Sequence, residues 1–141
     1  MKKILVLCTG NSCRSQLAEG YLRHFAKARA LVYSAGIEAH GVNPRAVAIM
    51  QEDGIDIAHH TSNRVQEYLP IRFDYVITVC DHAKERCPVF PSEAYRLHCS
   101  FPDPAQAVGT EAEIMESFRA VRDQIKLFSE AFIRQHISSG G

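Results

Sequence analysis

No stretch of this sequence approaches the roughly 18 consecutive apolar residues of a membrane-spanning helix, which excludes that use of the chain. A net charge of one sign is also missing. The 16 basic and 16 acidic side chains cancel, and Lys and Arg gather into no stripe, which argues against a nucleic-acid partner. Met1-Lys2-Lys3 ahead of Ile4-Leu5-Val6-Leu7 has the charge of a signal peptide. The apolar run is too short for its core, however, and no small-residue cleavage site follows, so a cytoplasmic location is expected. There is no internal repeat, low-complexity run or linker. At 141 residues the chain suits a single domain, expected over 1–137, with 138–141 as a mobile tail and a monomer as the default state.

The cysteines lack both an even count and a metal-site spacing. There are 5, at positions 8, 13, 80, 87 and 99, with no C-x-x-C among them, and the 7 histidines do not pair with them at ligand spacing. No metal and no organic cofactor is expected. In a reducing compartment such a set points to reactive or buried thiols and away from a disulfide framework.

Strands and helices alternate in the hydrophobic pattern. Residues 3–8 read as a strand buried on both faces, Arg14–Ala28 as an amphipathic helix, Leu31–Ala35 as a second strand closed by Gly36. A helix from Pro44 to about Asp53 stops at Gly54, and Phe73–Cys80 forms a third strand. Asp81–Arg86 reads as a short helix ended by Pro88, Tyr95–Cys99 as a fourth strand, and 111–136 as a long helix. The expectation is an α/β fold, a doubly wound domain with a four-stranded parallel sheet flanked by helices. Ligands of such sheets sit at the carboxyl ends of the strands, where Cys8 and Cys80 both lie.

The most informative segment is Cys8-Thr9-Gly10-Asn11-Ser12-Cys13-Arg14-Ser15, between the first strand and the first helix. A glycine-containing loop of small polar residues can curl its backbone N–H groups around one centre at a helix N-terminus, making an anion nest. Arg14 adds a planar fork that grips two oxygens of a tetrahedral oxyanion. The same positive field is expected to hold Cys8 as a thiolate, within the range of roughly 3.5–7.5 seen for thiols in such settings, and so as a nucleophile. Cys, five residues and Arg is a weak pattern alone; with 5 Cys and 11 Arg, chance gives roughly 0.4 matches. A second match, Cys80 to Arg86, has no glycine and carries Asp81 and Glu85, which repel an anion, so it is rejected.

Two further features carry alternatives. Cys80 and Cys87 stand seven residues apart. Across an intact helix that is about 10 Å, beyond the roughly 7 Å a disulfide spans, so any bond between them requires the segment to unwind. They are either a redox pair on a loosened segment or two thiols that merely pack. Asp103-Pro104 offers a carboxyl group able to protonate a leaving oxygen, or is an ordinary Asp-Pro turn.

Over most of its length the sequence resembles the thioredoxin-coupled arsenate reductases, which are built on the low-molecular-weight protein tyrosine phosphatase fold. The resemblance rests on CTGNSCRSQLAEG at 8–20, SAG at 34–36, HTS at 60–62, VITVCDHAKERCPVFP at 76–91, FPDPA at 101–105 and VRDQIK at 121–126. It implies a phosphatase-type oxyanion loop formed by Thr9, Gly10, Asn11, Ser12, Cys13, Arg14 and Ser15, with Cys8 as nucleophile and Arg14 as clamp. Ser15 then supports the thiolate and Asp103 is the general acid. Cys80 and Cys87 match the relay thiols, giving a Cys8–Cys80 and then a Cys80–Cys87 disulfide. Cys13 matches a cysteine that turnover does not require, and Cys99 is read as structural. The implied activity is reduction of arsenate to arsenite, with thioredoxin as reductant. The alternative is a phosphatase, but Ala105-Gln106-Ala107 replaces the tyrosines with which such enzymes wall a phenyl ring. Potassium-binding members use the positions that here are Asn11, Glu19, Ser34, Thr61 and Asn63. The amide at 63, where they have an aspartate, leaves that ion unassigned.

Overall fold

A computed structural model describes residues 1–81, 83 and 93–137 of the chain. Cys87, most of the short helix expected over 81–86 and the tail 138–141 lie outside the described residues. Four parallel strands, β1 (Lys2–Cys8), β2 (Ala30–Gly36), β3 (Tyr75–Thr78) and β4 (Tyr95–His98), pair in the order β2-β1-β3-β4. Among the described residues they are flanked by α1 (Arg14–Ala26), α2 (Pro44–Glu52) and α3 (Glu111–His136). This is the expected α/β architecture.

β1 is central because it is apolar throughout: Ile4, Leu5, Val6 and Leu7 are all completely buried. A strand with no polar face must be covered on both sides, which a parallel sheet between helices provides. The alternation of the remaining elements follows from the same need. α3 lays Phe118, Val121, Ile125, Phe132 and Ile133 into the core and packs against α1 and α2. Thr110 and Glu113 close a reciprocal capping box at its start, at 3.2 and 3.1 Å. Asn43 caps α2 by accepting from the Arg45 amide at 2.8 Å, with Pro44 in the first turn as expected. No described helix is long and apolar enough to cross a membrane.

Several boundaries differ from the sequence reading, each for a local reason. α1 stops at Ala26 because Lys27 adopts φ +55°, and a 3-10 turn over Lys27–Arg29 brings the chain into β2. β3 is shorter at both ends. Phe73 is buried but precedes the ladder, and the Asp74 carboxylate accepts from the Lys3 amide at 2.8 Å. Cys80 thus lies just beyond the carboxyl end of β3. Two more 3-10 turns, Val65–Tyr68 and Pro104–Gln106, occupy stretches with no hydrophobic period to announce them.

β1 and β3 are direct neighbours, with Leu7 opposite Thr78. That pairing carries Cys8 and Cys80 to one end of the sheet.

Candidate active site

The loop after β1 is held from outside by its carbonyl oxygens. Those of Cys8, Thr9 and Gly10 accept from the amides of Ile37, Glu38 and His40 at 3.2, 2.9 and 2.9 Å, and that of Ser12 accepts from Asn43 at 2.9 Å. Cys13 is bonded by Leu17 at 2.9 Å, and Asn11 by the Gln16 carboxamide at 3.0 Å. In a planar trans peptide the N–H of the next residue points the opposite way. Outward carbonyls therefore turn the amide edges toward the concave side, as an anion nest requires.

Asn11 makes this curl possible. It adopts φ +48°, costly for a side chain with a Cβ, and is completely buried. Its carboxamide donates to the Ser15 and Ser34 hydroxyls at 2.8 and 2.9 Å and accepts from the Asn63 amide at 2.8 Å. Gly36, at the end of β2, lets the loop approach. A Cβ there would run into the Glu38 carbonyl oxygen and lie 2.7 Å from both the Asn11 nitrogen and the Thr9 oxygen.

The concave side opens into a cavity of about 270 Å³, lined by Cys8, Thr9, Gly10, Ser12, Cys13 and Arg14 from the loop and by His40, Asp103, Ala105 and Gln106 opposite. The Arg14 guanidinium donates to the Phe101 carbonyl at 3.0 Å and stands 3.6 Å from the Asp103 carboxylate. Asp103 also caps the turn that follows it, accepting from the Ala105 amide at 3.0 Å. It is thus both an Asp-Pro turn residue and a wall of the cavity. Asn11 and Ser15, expected among the oxyanion-binding residues, stand behind the loop as its support. His40 and Gln106 escaped the sequence reading. The available signal was position alone: His40 follows β2 at the carboxyl edge of the sheet, where ligands of such folds bind.

The second thiol reaches the loop from β3. The Thr9 hydroxyl and the Cys80 sulfur are 3.3 Å apart, and the Ala83 amide donates to that sulfur at 3.4 Å. The neighbouring Cys8 thiol acts on its titration as well. These neighbours, the Cys8 thiol foremost, bring the Cys80 thiol down to about 5, with Arg14 assisting. Cys8 goes the other way. Beside Cys80, and buried, it is raised, although Arg14 and the Thr9 amide favour its ionised form. The two thiols titrate together, with Cys8 pushed up and Cys80 pushed down. The expectation for Cys8 considered the loop alone, and Cys80 also acts on its titration. Burial, and then the nearby Asp103, push Cys13 up to about 12, so it is a neutral thiol. Burial also raises Cys99, in keeping with a packing role.

The five positions that hold potassium in some relatives do not fit a held cation here. Glu19 brings the one formal charge, and its carboxylate accepts from Ser34 at 2.5 Å and pairs with Arg23 at 2.9 Å. Asn63 accepts from Thr61 at 2.8 Å and donates to Glu67 at 3.1 Å. Arg23 thus supplies the positive charge. No group of three or more His, Cys, Asp or Glu side chains able to hold a metal occurs among the described residues.

A parallel α/β sheet whose first strand ends in a thiol, an amide-lined loop and an arginine defines the class of oxyanion-binding cysteine proteins. Within that class, the chain belongs to the low molecular weight phosphotyrosine protein phosphatase family, whose model matches residues 3–139. It is 51% identical over 133 residues to an arsenate reductase of Halalkalibacterium halodurans, covering 92% of this chain and 96% of that one. Among solved structures, an arsenate reductase in the oxidized state matches with a TM-score of 0.81 and 31% identity over 96% of this chain and 98% of that one. An arsenate reductase in the phosphate binding state matches with a TM-score of 0.79 and 34% identity, over 98% and 100% of the two chains.

Proposed function

We propose that this protein reduces arsenate to arsenite through a relay of thiols. The observation that carries the reading is Cys80 seated against the oxyanion loop, just past the strand next to the one that delivers Cys8. Hydrolysis of a phosphate ester needs one thiol there; moving two electrons needs two.

Arsenate enters the loop, and its oxygens take the amide hydrogens and the Arg14 fork. The Arg14 fork and the loop amides offset the charge of the bound oxyanion, and Cys8 passes its proton to the Cys80 sulfur and attacks as a thiolate. Cys8 bonds to arsenic, and one oxygen departs as water with a proton from Asp103. Cys80 gives its proton to an oxygen of the bound arsenic and attacks the Cys8 sulfur as a thiolate. The S–S bond forms, the S–As bond breaks, and its electron pair stays on arsenic, which leaves as arsenite. Cys87 attacks Cys80, releases Cys8 as thiolate and leaves the Cys80–Cys87 disulfide. An external dithiol, thioredoxin by the sequence resemblance, accepts that oxidation and closes the cycle.

The test is arsenate-dependent NADPH consumption through thioredoxin and its reductase, run beside hydrolysis of an aryl phosphate. Reduction should dominate. The wall after Asp103 is Ala105 and Gln106, which gives a phenyl ring nothing to stack on. Efficient aryl phosphate hydrolysis without arsenate reduction would instead make the protein a phosphatase.

A further inference from the structure

One side chain bonds to the side chains of residues on both sides of Cys80. His98, the last residue of β4, stands in register with Thr78, the last residue of β3. Its Nδ1 lies 2.7 Å from the Thr78 hydroxyl, and its Nε2 lies 2.9 Å from an Asp81 carboxylate oxygen. The imidazole therefore bridges the end of the strand and the residue just after Cys80. Thr78 is 6% exposed, while the Asp81 side chain is 77% exposed, so one arm is anchored in the sheet and the other is reversible. Between them, Val79 donates its amide to the Leu7 carbonyl at 3.0 Å, and Cys80 accepts from Ala83.

We infer that His98 is a positioning residue of the thiol relay, clamping Thr78 and Asp81 so that the Cys80 sulfur stays against Thr9 and Cys8 until the first disulfide forms. The inference rests on the reading of Cys80 as the second thiol. Backbone bonds hold Thr78 and Val79 to Cys99, Leu7 and Phe101, and the His98 clamp extends that hold past Cys80 to Asp81. Loss of either arm leaves Cys80 free to sample orientations in which it cannot reach the Cys8 sulfur. The step affected is the one in which the Cys80–Cys8 S–S bond forms, the S–As bond breaks and arsenic takes the electron pair. The attack of Cys8 on an oxyanion does not involve the clamp. An exposed ion pair contributes little to overall stability, so the effect belongs to the relay and not to the fold.

The experiment compares wild type with Asp81→Ala, Asp81→Asn and His98→Ala by rapid-quench measurement of arsenite in the first turnover, beside aryl phosphate hydrolysis. Asp81→Ala cuts one arm at an exposed position and keeps the fold; Asp81→Asn keeps an oxygen that accepts from Nε2. Arsenite release should slow about three- to tenfold in Asp81→Ala and His98→Ala, the range of a lost hydrogen bond. It should stay within about twofold of wild type in Asp81→Asn, and phosphate hydrolysis should stay within about twofold in all three. First-turnover release at the wild-type rate in Asp81→Ala overturns the inference, as does a parallel fall in hydrolysis, which would place the defect in the oxyanion loop. Wild-type protein that releases no arsenite at all instead overturns the relay reading itself.

Discussion

The Thr9 hydroxyl and the Cys80 sulfur, 71 residues apart in sequence, lie 3.3 Å apart across the carboxyl ends of β1 and β3. With Cys80 ionised, the hydroxyl donates and the sulfur accepts. A residue of the oxyanion loop therefore holds the second thiol at the place where the first one reacts.

Removal of the nucleophile should silence both chemistries. Cys8→Ser is expected to abolish arsenate reduction and aryl phosphate hydrolysis together, since both begin with attack from the floor of the same cavity. Steady-state assays with the two substrates check this, and wild-type rates with either one would exclude Cys8 as nucleophile.

The two later thiols should separate. Cys80→Ser and Cys87→Ser are each expected to stop multiple turnover with arsenate while sparing slow phosphate ester hydrolysis. In a rapid-quench experiment Cys87→Ser should release one equivalent of arsenite per enzyme through the Cys8–Cys80 bridge, and Cys80→Ser almost none. Sustained turnover by either variant would contradict the relay.

Asn11 should prove to be a structural keystone of the loop. Asn11→Ala removes a completely buried carboxamide that serves two serine hydroxyls and the Asn63 amide. It also leaves an alanine at φ +48°. Leaving buried partners unmet costs about 1–3 kcal/mol. Chemical denaturation should show a loss of at least about 2 kcal/mol, and added phosphate should stabilise the variant less than it stabilises wild type.

Stability in acid should depend on His60. Burial first, then Arg23 and His59, lower its imidazole from 6.5 to about 4, while its Nδ1 meets the Gln16 carboxamide at 2.9 Å. Between those two values the unfolded chain binds a proton that the folded protein refuses. The stability carried by the neutral ring is therefore present above about 6.5 and is lost as the pH falls toward about 4. His60→Asn retains a polar group toward Gln16 without the titration. Its thermal midpoint should vary less with pH across that window than that of wild type, and an unchanged slope would show that His60 is not the group responsible.

The sequence by itself determined the elements and the first half of the site. Ile4 to Leu7 could only be a strand covered on both faces, and the loop from Cys8 to Ser15 joins adjacent residues, so its nucleophile, glycine and arginine stand in one short segment. Local spacing is enough wherever the partners lie within a turn or two of each other. What lies across the sheet was decided by the tertiary structure. Whether Cys80 was a relay thiol or packing, and whether Asp103 was more than a turn, could not be read from spacing, because the answer depends on which strands are neighbours. The order β2-β1-β3-β4 brings Cys80 against Thr9, and the tertiary fold sets Asp103 beside Arg14 in the wall of the cavity. It also set Cys80 beside the loop, so that the two thiols titrate together, which the sequence could not show. Thiols brought close in a buried site titrate as a pair, and the donors that chain-distant residues bring shape that titration.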